Sequence, residues 1–574
     1  MSIKKSCCLF LLLSLLGFHF LSNAQQIRRS EILGRVGDHS VTVSVAFHDS
    51  TEASVEFGVM PGVYTNSIPW QLFADTLPHE IILSGLLANQ QYFYRLSFRV
   101  PGTTNAVFQP EHTFHTRRPS GETFTFLIQA DPHMDNQTDT AIYSRCLQNQ
   151  LEDNPDFMID LGDFLMTDKL TNSAHVVPFD TIPYRCNLLR SYYEKTCHSV
   201  PLFIVMGNHE GEAGWLNNGT ANNVAVWDAQ QRKQYFPNPY PDGFFTGDTS
   251  NQPFVGQRQS YYSFEWGNAL FVVIDPYWYT SVKPDSLHGW RWTLGADQYN
   301  WLRSTLQQST ATFKYVFAHH LVGGSPEGRG GTEYADFYEW GGNNIDSTPG
   351  FAANRPGWYK PIKDVLTENR VNIFFHGHDH FFDKQDKDCM VYQEVPQPSH
   401  PNFSNANVAA GYGYLSGLIL PNSGHLRVTV APTGTMVEYV RAYKAADETA
   451  TRHNKDISAT YFIGNVNCYD STTAVSPVLW NSNYPEEIVY PNPFSTETKI
   501  EFEISNQQQL RITVLDMQGR LVRELLPQNL VRPGKYTIVW DGNDQNGNSL
   551  PAGNYIYNIS SPEKIKSGKL VLSR

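Results

Sequence analysis

The chain has 574 residues, which is long enough for three or four domains of about 150 residues each. Hydrophobic residues make up 41% and charged residues 17%, a composition typical of folded globular domains and not of a disordered chain. The 43 Lys and Arg against 56 Asp and Glu give a net charge of -13. General nucleic-acid binding is therefore not expected, because phosphate backbones require a basic face. The acidity does not exclude binding of a single phosphate through metal ions.

Residues 1–24 predict a secretory signal peptide that is cleaved after Ala24. Lys4 and Lys5 precede an apolar run over residues 7–21, and the small residues Ser22 and Ala24 follow. The run is short for a bilayer span, which favours a signal peptide over a membrane anchor. No later segment is long and apolar enough to span a membrane, so we expect no transmembrane span in the mature chain.

Export permits disulfide bonds, and five cysteines remain after cleavage: Cys146, Cys186, Cys197, Cys389 and Cys468. Because five is odd, at least one thiol stays free or pairs between chains. Cys186 and Cys197 are close in the sequence and are the predicted pair.

Three folded regions follow the signal peptide. Residues 27–118 contain runs of alternating apolar and polar residues, such as 40–45 and 92–98, which predict a β-sandwich. Residues 122–443 contain short runs that are apolar throughout, which indicate strands covered on both faces. A helical stripe lies between the first two of these runs, so this region is predicted to be an α/β domain; the stripe consists of Ile142, Cys146, Leu147 and Leu151.

The C-terminal part is again rich in predicted strands. Residues 444–486 are polar and are assigned to the end of the α/β domain and a linker, with residues 460–463 as a candidate last strand. Residues 487–574 contain three alternating runs, at 499–504, 510–515 and 536–540. We expect a second β-sandwich there.

Polar side chains follow five of the buried strands of the middle region. The strand carboxyl ends are followed, in chain order, by Asp131 and His133, by Asp163, by Asn208, His209 and Glu210, by His319 and His320, and by His376, His378 and His380. Ligands bind at this end of the strands in open α/β sheets, because the loops that leave it converge. One such motif commonly caps a turn, but five in succession predict a functional site.

This ordered set resembles the calcineurin-like metallophosphoesterases, whose pattern is D-x-H, G-D, G-N-H-[D/E], H and G-H-x-H. The resemblance covers the middle region and implies a β-sandwich flanked by helices, with two metal ions in one site. It implies that Asp131, His133 and His380 bind one metal, that Asn208, His319 and His378 bind the other, and that Asp163 bridges both. His209 is then an acid or a transition-state stabiliser outside the ligand set, and His376 a packed or outer histidine.

The residue types agree with such a site. Oxygen and imidazole ligands without thiolates suit Fe, Zn or Mn rather than a structural cysteine–zinc site. A carboxylate such as Asp163 offsets the repulsion of two cations about 3.5–4 Å apart, and water shared by them becomes the nucleophile. Of the adjacent His319 and His320, only one is expected to reach the metal, because neighbouring side chains on an extended backbone point opposite ways. The family pattern favours His319.

The architecture is also similar to that of the purple acid phosphatases, in which a fibronectin type III-like module precedes the catalytic domain. Residues 83–86, 92–95 and 113–117 resemble such a module. The chain departs from that family at two positions: His133 replaces a glycine, and Met166 stands where a tyrosine ligates ferric iron. We therefore expect a colourless enzyme with His133 as a ligand.

Substrate recognition is less evident from the sequence. Arg329 lies in the glycine-rich loop 323–331, after the fourth motif. It is a candidate to hold a phosphate oxygen in a bidentate manner. A solvated loop arginine is an equally good interpretation.

The C-terminal region, 487–574, resembles the C-terminal sorting domain of type IX secretion. The resemblance is carried by four segments in order: 490–494, 514–520, 540–542 and 550–555. It implies export through the periplasm to the medium or the outer cell surface, with the secretion machinery as a partner. An ordinary Ig-like accessory module is the alternative.

The leading hypothesis is a secreted dinuclear-metal phosphoesterase that hydrolyses phosphate esters with a metal-bridging hydroxide. Phosphomonoesters, on small molecules or macromolecules, are the favoured substrates. A phosphodiesterase or nucleotidase is one alternative, and an inactive surface binding protein on the same fold is another. All seven candidate ligand positions and His209 are present, which favours an active enzyme.

Overall fold

The computed structural model describes residues 30–324, 328–464, 488–504, 508–516, 520–532, 534–560 and 565–573. The predicted signal peptide and most of the predicted linker lie outside these ranges. Within them, no helix combines the length and the apolar character that a bilayer span requires.

The N-terminal region consists of strands, as the alternating runs predicted. Strands β1, β2 and β5 form one layer, and β4, β3, β6 and β7 form a second layer to which β8 is attached through β6. Phe47 packs between Phe73 and Phe98, with ring centroids 5.8 and 6.0 Å away. The strands are β1 Ser30–Gly34, β2 Ser40–Ala46, β3 Thr51–Gly58, β4 Asn66–Phe73, β5 His79–Ser84, β6 Gln91–Arg99, β7 Ala106–Phe108 and β8 His112–His115.

The middle region contains two large mixed sheets and the longer helices, so the α/β prediction is confirmed. Residues 460–463 lie in its last strand, β22, which pairs with β21. In chain order the elements are β9 Phe124–Gln129, α1 Thr140–Glu152, β10 Phe157–Asp160, α2 Thr181–Cys197, β11 Leu202–Ile204, α3 Val224–Tyr235, β12 Thr246–Gly247, β13 Tyr262–Trp266, β14 Ala269–Val273, α4 Ala296–Gln308, β15 Phe313–Phe317, α5 Tyr338–Gly341, α6 Phe351–Asn354, α7 Ile362–Glu368, β16 Ile373–His376, β17 Phe382–Lys387, β18 Met390–Glu394, β19 Leu418–Leu420, β20 Gly424–Ala431, β21 Gly434–Arg441 and β22 Ile457–Gly464.

The two sheets pack face to face and helices cover their outer faces. Phe126 of β9 and Phe157 of β10 lie against Phe271 of β14, with ring centroids 5.0 and 5.3 Å apart. Helices α1 and α2 pack on the sheet that contains β9 and β10, and α4 and α7 pack on the sheet that contains β14. The predicted helical stripe lies on α1, whose first turn is capped by the carboxylate of Asp139. The result is a four-layer α/β/β/α arrangement.

The N-terminal strands extend a sheet of the middle region. The nine-stranded sheet has the order β22-β21-β20-β9-β10-β11-β1-β2-β5. Its junction is a parallel pairing of β1 with β11, at Gly34 and Leu202. Residues 27–118 were expected as a module in front of the α/β domain, and the structure shows that three strands of this region, β1, β2 and β5, share a sheet with that domain.

The C-terminal region forms two further antiparallel sheets, as predicted. Their orders are β23-β24-β27 and β26-β25-β28-β29, and Trp540 is buried between Phe494 and Tyr555. Lys569 of β29 forms an ion pair of 2.7 Å with Glu438 of β21, which ties this domain to the middle region. The strands are β23 Ile488–Tyr490, β24 Thr498–Ile504, β25 Gln508–Asp516, β26 Leu521–Val531, β27 Gly534–Trp540, β28 Gly553–Ser560 and β29 Ile565–Leu572.

The predicted disulfide between Cys186 and Cys197 is wrong. Both thiols are free and buried on α2. They are eleven positions apart on the helix, a rise of about 16 Å, whereas a disulfide requires Cα atoms within about 7 Å. Cys146 is also free, and Cys389 is disulfide-bonded.

Candidate metal centre

The five polar motifs meet at one edge of the two central sheets. Strands β9, β10 and β11 are parallel neighbours in one sheet, and β15 and β16 are parallel neighbours in the other. A motif follows the carboxyl end of each of these strands. Side chains from both sheets therefore reach a common space above the sandwich core.

Asp131, His133 and His380 form what we call the first group. Their candidate ligand atoms all lie within 4.8 Å of one another. The Nε2 atoms of His133 and His380 lie 3.6 and 3.4 Å from Oδ1 of Asp131. Asp131 and His133 are buried, but the side chain of His380 is 30% exposed, so this group opens to solvent on one side.

Asp163, His319 and His378 form the second group, and all three are buried. Nε2 of His319 lies 3.0 Å from Oδ2 of Asp163 and 3.2 Å from Nδ1 of His378. Nδ1 of His319 lies 2.9 Å from the carbonyl oxygen of Leu161, to which it donates. This hydrogen bond selects the tautomer that leaves Nε2 available as a ligand.

The two groups adjoin and form one cage. Oδ2 of Asp163 lies 3.9 Å from Nε2 of His133, and Nε2 of His319 lies 3.7 Å from Oδ1 of Asp131. Asp163 therefore lies between the histidines of both groups, where a bridging carboxylate would be needed. The predicted bridging residue has a position that suits that role.

Glu210 positions the loop that carries Asp163. Its carboxylate accepts hydrogen bonds from the backbone N–H groups of Asp163, Phe164 and Leu165, at 3.0, 2.8 and 3.1 Å. Oδ1 of Asp163 in turn accepts the backbone N–H of His209 at 2.8 Å. These bonds leave Oδ2 of Asp163 directed at the cage.

Five of the candidate ligands have backbone conformations that L-residues rarely adopt. A positive φ costs roughly 1–3 kcal/mol when the residue is not glycine, and it is retained where surrounding contacts over-determine the loop. Gly377 shows how close these loops lie, because a Cβ on it would come within 2.7 Å of Oδ2 of Asp131. The φ angles are 57° for Asp131, 51° for His133, 55° for Asp163, 80° for His378 and 65° for His380.

The donor atoms of the cage fit cations. Oδ1 of Asp131, Nε2 of His133 and Oδ1 of Asn208 are buried and have no hydrogen-bond partner in the described part of the chain. Such atoms are costly unless they bind something. Burial opposes protonation of the histidines, yet the neighbouring carboxylates raise the pKa of His133 to about 9 and that of His319 to about 10. The cage thus favours positive charge, and its nitrogen and oxygen donors suit borderline metals.

Comparisons with known proteins agree with this geometry. The sequence model of the calcineurin-like phosphoesterase family matches residues 124–382. This stretch contains every residue of both groups. The chain contains a calcineurin-like phosphoesterase domain. This family of hydrolases binds a dinuclear metal centre, so the two groups are candidate ligands for two metal ions.

One solved structure with low sequence identity shares the fold over most of the chain. A structure of PhoD superimposes with a TM-score of 0.54 at 16% identity, covering 78% of this chain and 92% of that chain. GAP50, described as the anchor in the inner membrane complex of Plasmodium, matches with a TM-score of 0.34 at 16% identity, covering 59% and 90%. The FlgD Ig-like domain model matches residues 492–564, which identifies the C-terminal domain as Ig-like. No curated protein matches the sequence significantly.

His209 is held beside the cage by an aspartate that the sequence analysis missed. Nδ1 of His209 lies 2.8 Å from Oδ1 of Asp168, and its Nε2 lies 4.0 Å from Oδ2 of Asp163. Nδ2 of Asn208 lies 3.0 Å from the same Nε2. Asp168 fixes the orientation of the ring and directs Nε2 towards the cage.

His319 lies in the cage, whereas His320 and His376 lie in the core behind it. Nδ1 of His320 bonds to the carbonyl oxygen of Leu321 at 2.6 Å, and Nδ1 of His376 lies 2.8 Å from Oε2 of Glu394. Burial lowers the pKa of both imidazoles to about 3. Both are therefore neutral packed side chains.

Arg329 lies next to the cage and forms an ion pair there. Its Nη1 donates to Oδ1 of Asp379 at 2.7 Å and to the carbonyl oxygen of His378 at 3.2 Å, and its guanidinium lies 4.1 Å from the ring centroid of Tyr412. These contacts join the loop after the fourth motif to the loop that carries His378.

Proposed function

We propose that the chain is a dinuclear-metal phosphoesterase that hydrolyses phosphate esters, with phosphomonoesters favoured. The observation that carries this proposal is the position of Asp163 between two groups of His and Asp donors that come from both sheets. Asp131, His133 and His380 would hold one ion, and Asn208, His319 and His378 the other. Two bound ions would supply Lewis-acid stabilisation of the phosphoryl group and activation of water.

The chain's own residues have distinct tasks in this mechanism. Asp163 neutralises charge between the two groups, and the hydrogen bonds to Glu210 and to His209 N–H keep its carboxylate in place. His209, oriented by Asp168, donates a proton from Nε2 to the leaving oxygen when it is protonated. Arg329 is a candidate to hold a phosphate oxygen from the loop beside His378.

The test is metal analysis of the purified full chain together with a panel of phosphomonoesters, phosphodiesters and nucleotides. We expect about two Fe, Zn or Mn ions per chain, hydrolysis of monoesters above diesters, and loss of activity with a chelator that metal restores. A diester preference would support the phosphodiesterase or nucleotidase alternative. Two bound ions without hydrolysis of any ester would support a binding protein on this fold.

The His209–Asp168 pair has its own test. Asp168→Asn should lower kcat about 10- to 100-fold, because the ring loses the partner that orients it, while the metal content stays at two. The loss should be smaller for esters with good leaving groups, such as p-nitrophenyl phosphate, which need less protonation. Equal loss for all leaving groups would contradict the acid role.

We propose that the enzyme is colourless. Met166 follows the second motif at the place where a tyrosine would ligate ferric iron in the purple acid phosphatases. The absorption spectrum of the iron-loaded protein is expected to lack a tyrosinate band in the visible range. A strong tyrosinate band would contradict the assignment of His133 as a ligand in a site that lacks the tyrosine.

We propose that the protein is exported, with the C-terminal Ig-like domain as a type IX sorting domain. The support is the predicted signal peptide and the order of the four C-terminal segments. A chain that ends after Asn483 should remain in the periplasm of the native host, whereas the full chain should reach the surface or medium. Normal secretion of the shortened chain would leave an Ig-like accessory module as the interpretation.

A further inference from the structure

The loop between β18 and β19, residues 395–417, packs against the first group. Oγ of Ser399 donates to the carbonyl oxygen of Pro132 at 3.0 Å, and the backbone N–H of Asp139 donates to the carbonyl oxygen of Ser399 at 2.9 Å. Pro132 stands between Asp131 and His133 in the chain. These two hydrogen bonds fix the backbone at position 399 beside the loop that carries Asp131 and His133.

A second set of bonds ties the same loop to His380. Nδ2 of Asn422 donates to the carbonyl oxygen of His380 at 2.7 Å. Oδ1 of Asn422 accepts the backbone N–H of Gln397 at 3.0 Å. The segment 397–399 is thus anchored to both loops that carry the first group, and the next residue, His400, is held in a defined place.

His400 has an imidazole whose tautomer the backbone selects. The backbone N–H of Asn402 donates to Nδ1 of His400 at 3.1 Å, so Nδ1 is the acceptor and the ring proton lies on Nε2. The ring is half-buried, and burial lowers its pKa. His380, Asp135 and His133 also act on this pKa electrostatically. The hydrogen bond of the neighbouring Ser399 to the carbonyl oxygen of Pro132 places this part of the backbone beside the first group.

We propose that His400 is a substrate-binding residue that donates a hydrogen bond from Nε2–H to a phosphoryl oxygen of the substrate at the first group. This inference rests on the proposed function. A neutral donor suits this place, because it can bind an anionic oxygen without adding positive charge next to a site that favours two cations. His400 is not needed as a ligand, since the first group already has three.

The experiment compares His400→Phe, which keeps a ring without a donor, with His400→Gln, which keeps an N–H donor. Asn402→Ala is the matched control, because it leaves the backbone N–H that binds Nδ1. Each metal-loaded full chain is assayed for metal content, for the Kd of inorganic phosphate by calorimetry, and for kcat and KM with a phosphomonoester.

We expect His400→Phe to keep two metals and to bind phosphate about 10-fold more weakly, with a similar fall in kcat/KM. His400→Gln should recover part of the loss, and Asn402→Ala should match the wild type. Wild-type phosphate affinity in His400→Phe, or an equal loss in His400→Phe and His400→Gln, would overturn the inference. If the wild type binds phosphate through His400 but hydrolyses no ester, the proposed function fails and the role of His400 stands.

Discussion

The two halves of the cage use the same kinds of donor but differ in their surroundings. In the second group, Asp163, His319 and His378 are buried, and Asp163 and His319 are each fixed by hydrogen bonds to the backbone. In the first group, His380 is 30% exposed and the 395–417 loop lies alongside. Closed sites retain metal, whereas catalytic sites keep an open position for water and substrate. We therefore infer that the second group would anchor an ion and that the first group would present one to the substrate.

The change with the largest expected effect removes the residue that both halves share. Asp163→Asn keeps the shape but loses the bridging charge, so we expect a fall in kcat of at least about 1,000-fold and fewer than two metals per chain. Metal analysis and steady-state kinetics measure both. Asp160→Asn is the matched control, because Asp160 is a buried carboxylate three residues away that bonds Gln129 and Tyr193 instead of facing the cage. Full activity of Asp163→Asn would remove the bridging role.

Removal of one histidine from each half should distinguish the two halves by their effects on metal content and kcat. His319→Ala removes a ligand from the buried second group, where solvent cannot take its place. We therefore expect the loss of one ion and a fall in kcat of about 100- to 1,000-fold. His380→Ala opens a position that water can fill, so we expect a loss of about 10- to 100-fold with most of the metal retained. His320→Ala changes the adjacent histidine, which lies in the core behind the cage. It should keep both ions if only His319 of the two binds metal. If His319→Ala and His380→Ala lose metal equally, the two halves do not differ in the way described.

Chelation should occur in two phases. The exposed edge of the first group gives a chelator direct access, whereas the second group is covered, so one ion per chain should leave at least about 10-fold faster than the other. Metal analysis of samples quenched at successive times during incubation with EDTA measures both phases. His380→Ala should accelerate the fast phase alone. A single phase that releases both ions would contradict the comparison.

The smallest of the expected effects is a dependence of metal affinity on pH. His133 in the first group and His319 in the second have pKa values of about 9 and about 10 in the metal-free protein, so a metal must displace a proton from each. Binding at about pH 7.5 should release about one proton per group, and affinity should fall as the pH is lowered. Calorimetry in buffers of different ionisation enthalpy counts the protons.

Because the pKa values of His133 and His319 are raised in the folded state, the charged forms of these histidines stabilise the metal-free fold. This contribution is complete below the unfolded-state pKa of 6.5 and is lost as the pH rises through about 9 to 10. The Tm of the metal-free protein should therefore decrease over this alkaline range, and that of the loaded protein should not. A Tm that does not change with pH in either the metal-free or the loaded protein would contradict the raised pKa values of His133 and His319.

Much of the fold was predictable because its signals are local. Predominantly apolar runs mark β9, β10, β14 and β15, and the stripe on α1 has helical spacing. The pairing of β1 with β11 was not predictable, because Gly34 and Leu202 are far apart in the sequence and neither carries a pairing signal. The disulfide prediction failed because the helix over residues 181–197 was not recognised, and a helix separates residues that a loop could bring together.

The site was predictable where residue type and strand position coincide. Asp131, Asp163 and His378 directly follow strands, so their convergence follows from the topology. Asp168 lies in a single 3₁₀ turn and His400 in a loop, and neither has a sequence pattern of its own. Their proposed roles depend on the hydrogen bonds to His209 and from Asn402. The orientation of Arg329 towards Asp379 likewise depends on a contact across 50 residues of chain.

The parallel pairing of β1 with β11 has a practical consequence for dissecting the protein. A fragment that starts near residue 119 would lack β1, β2 and β5 and would leave the β11 edge of the large sheet without its neighbour. Uncovered backbone N–H and C=O groups on an edge recruit other chains, so such a fragment is expected to aggregate during expression. The smallest catalytic piece worth producing therefore begins at or before Ser30.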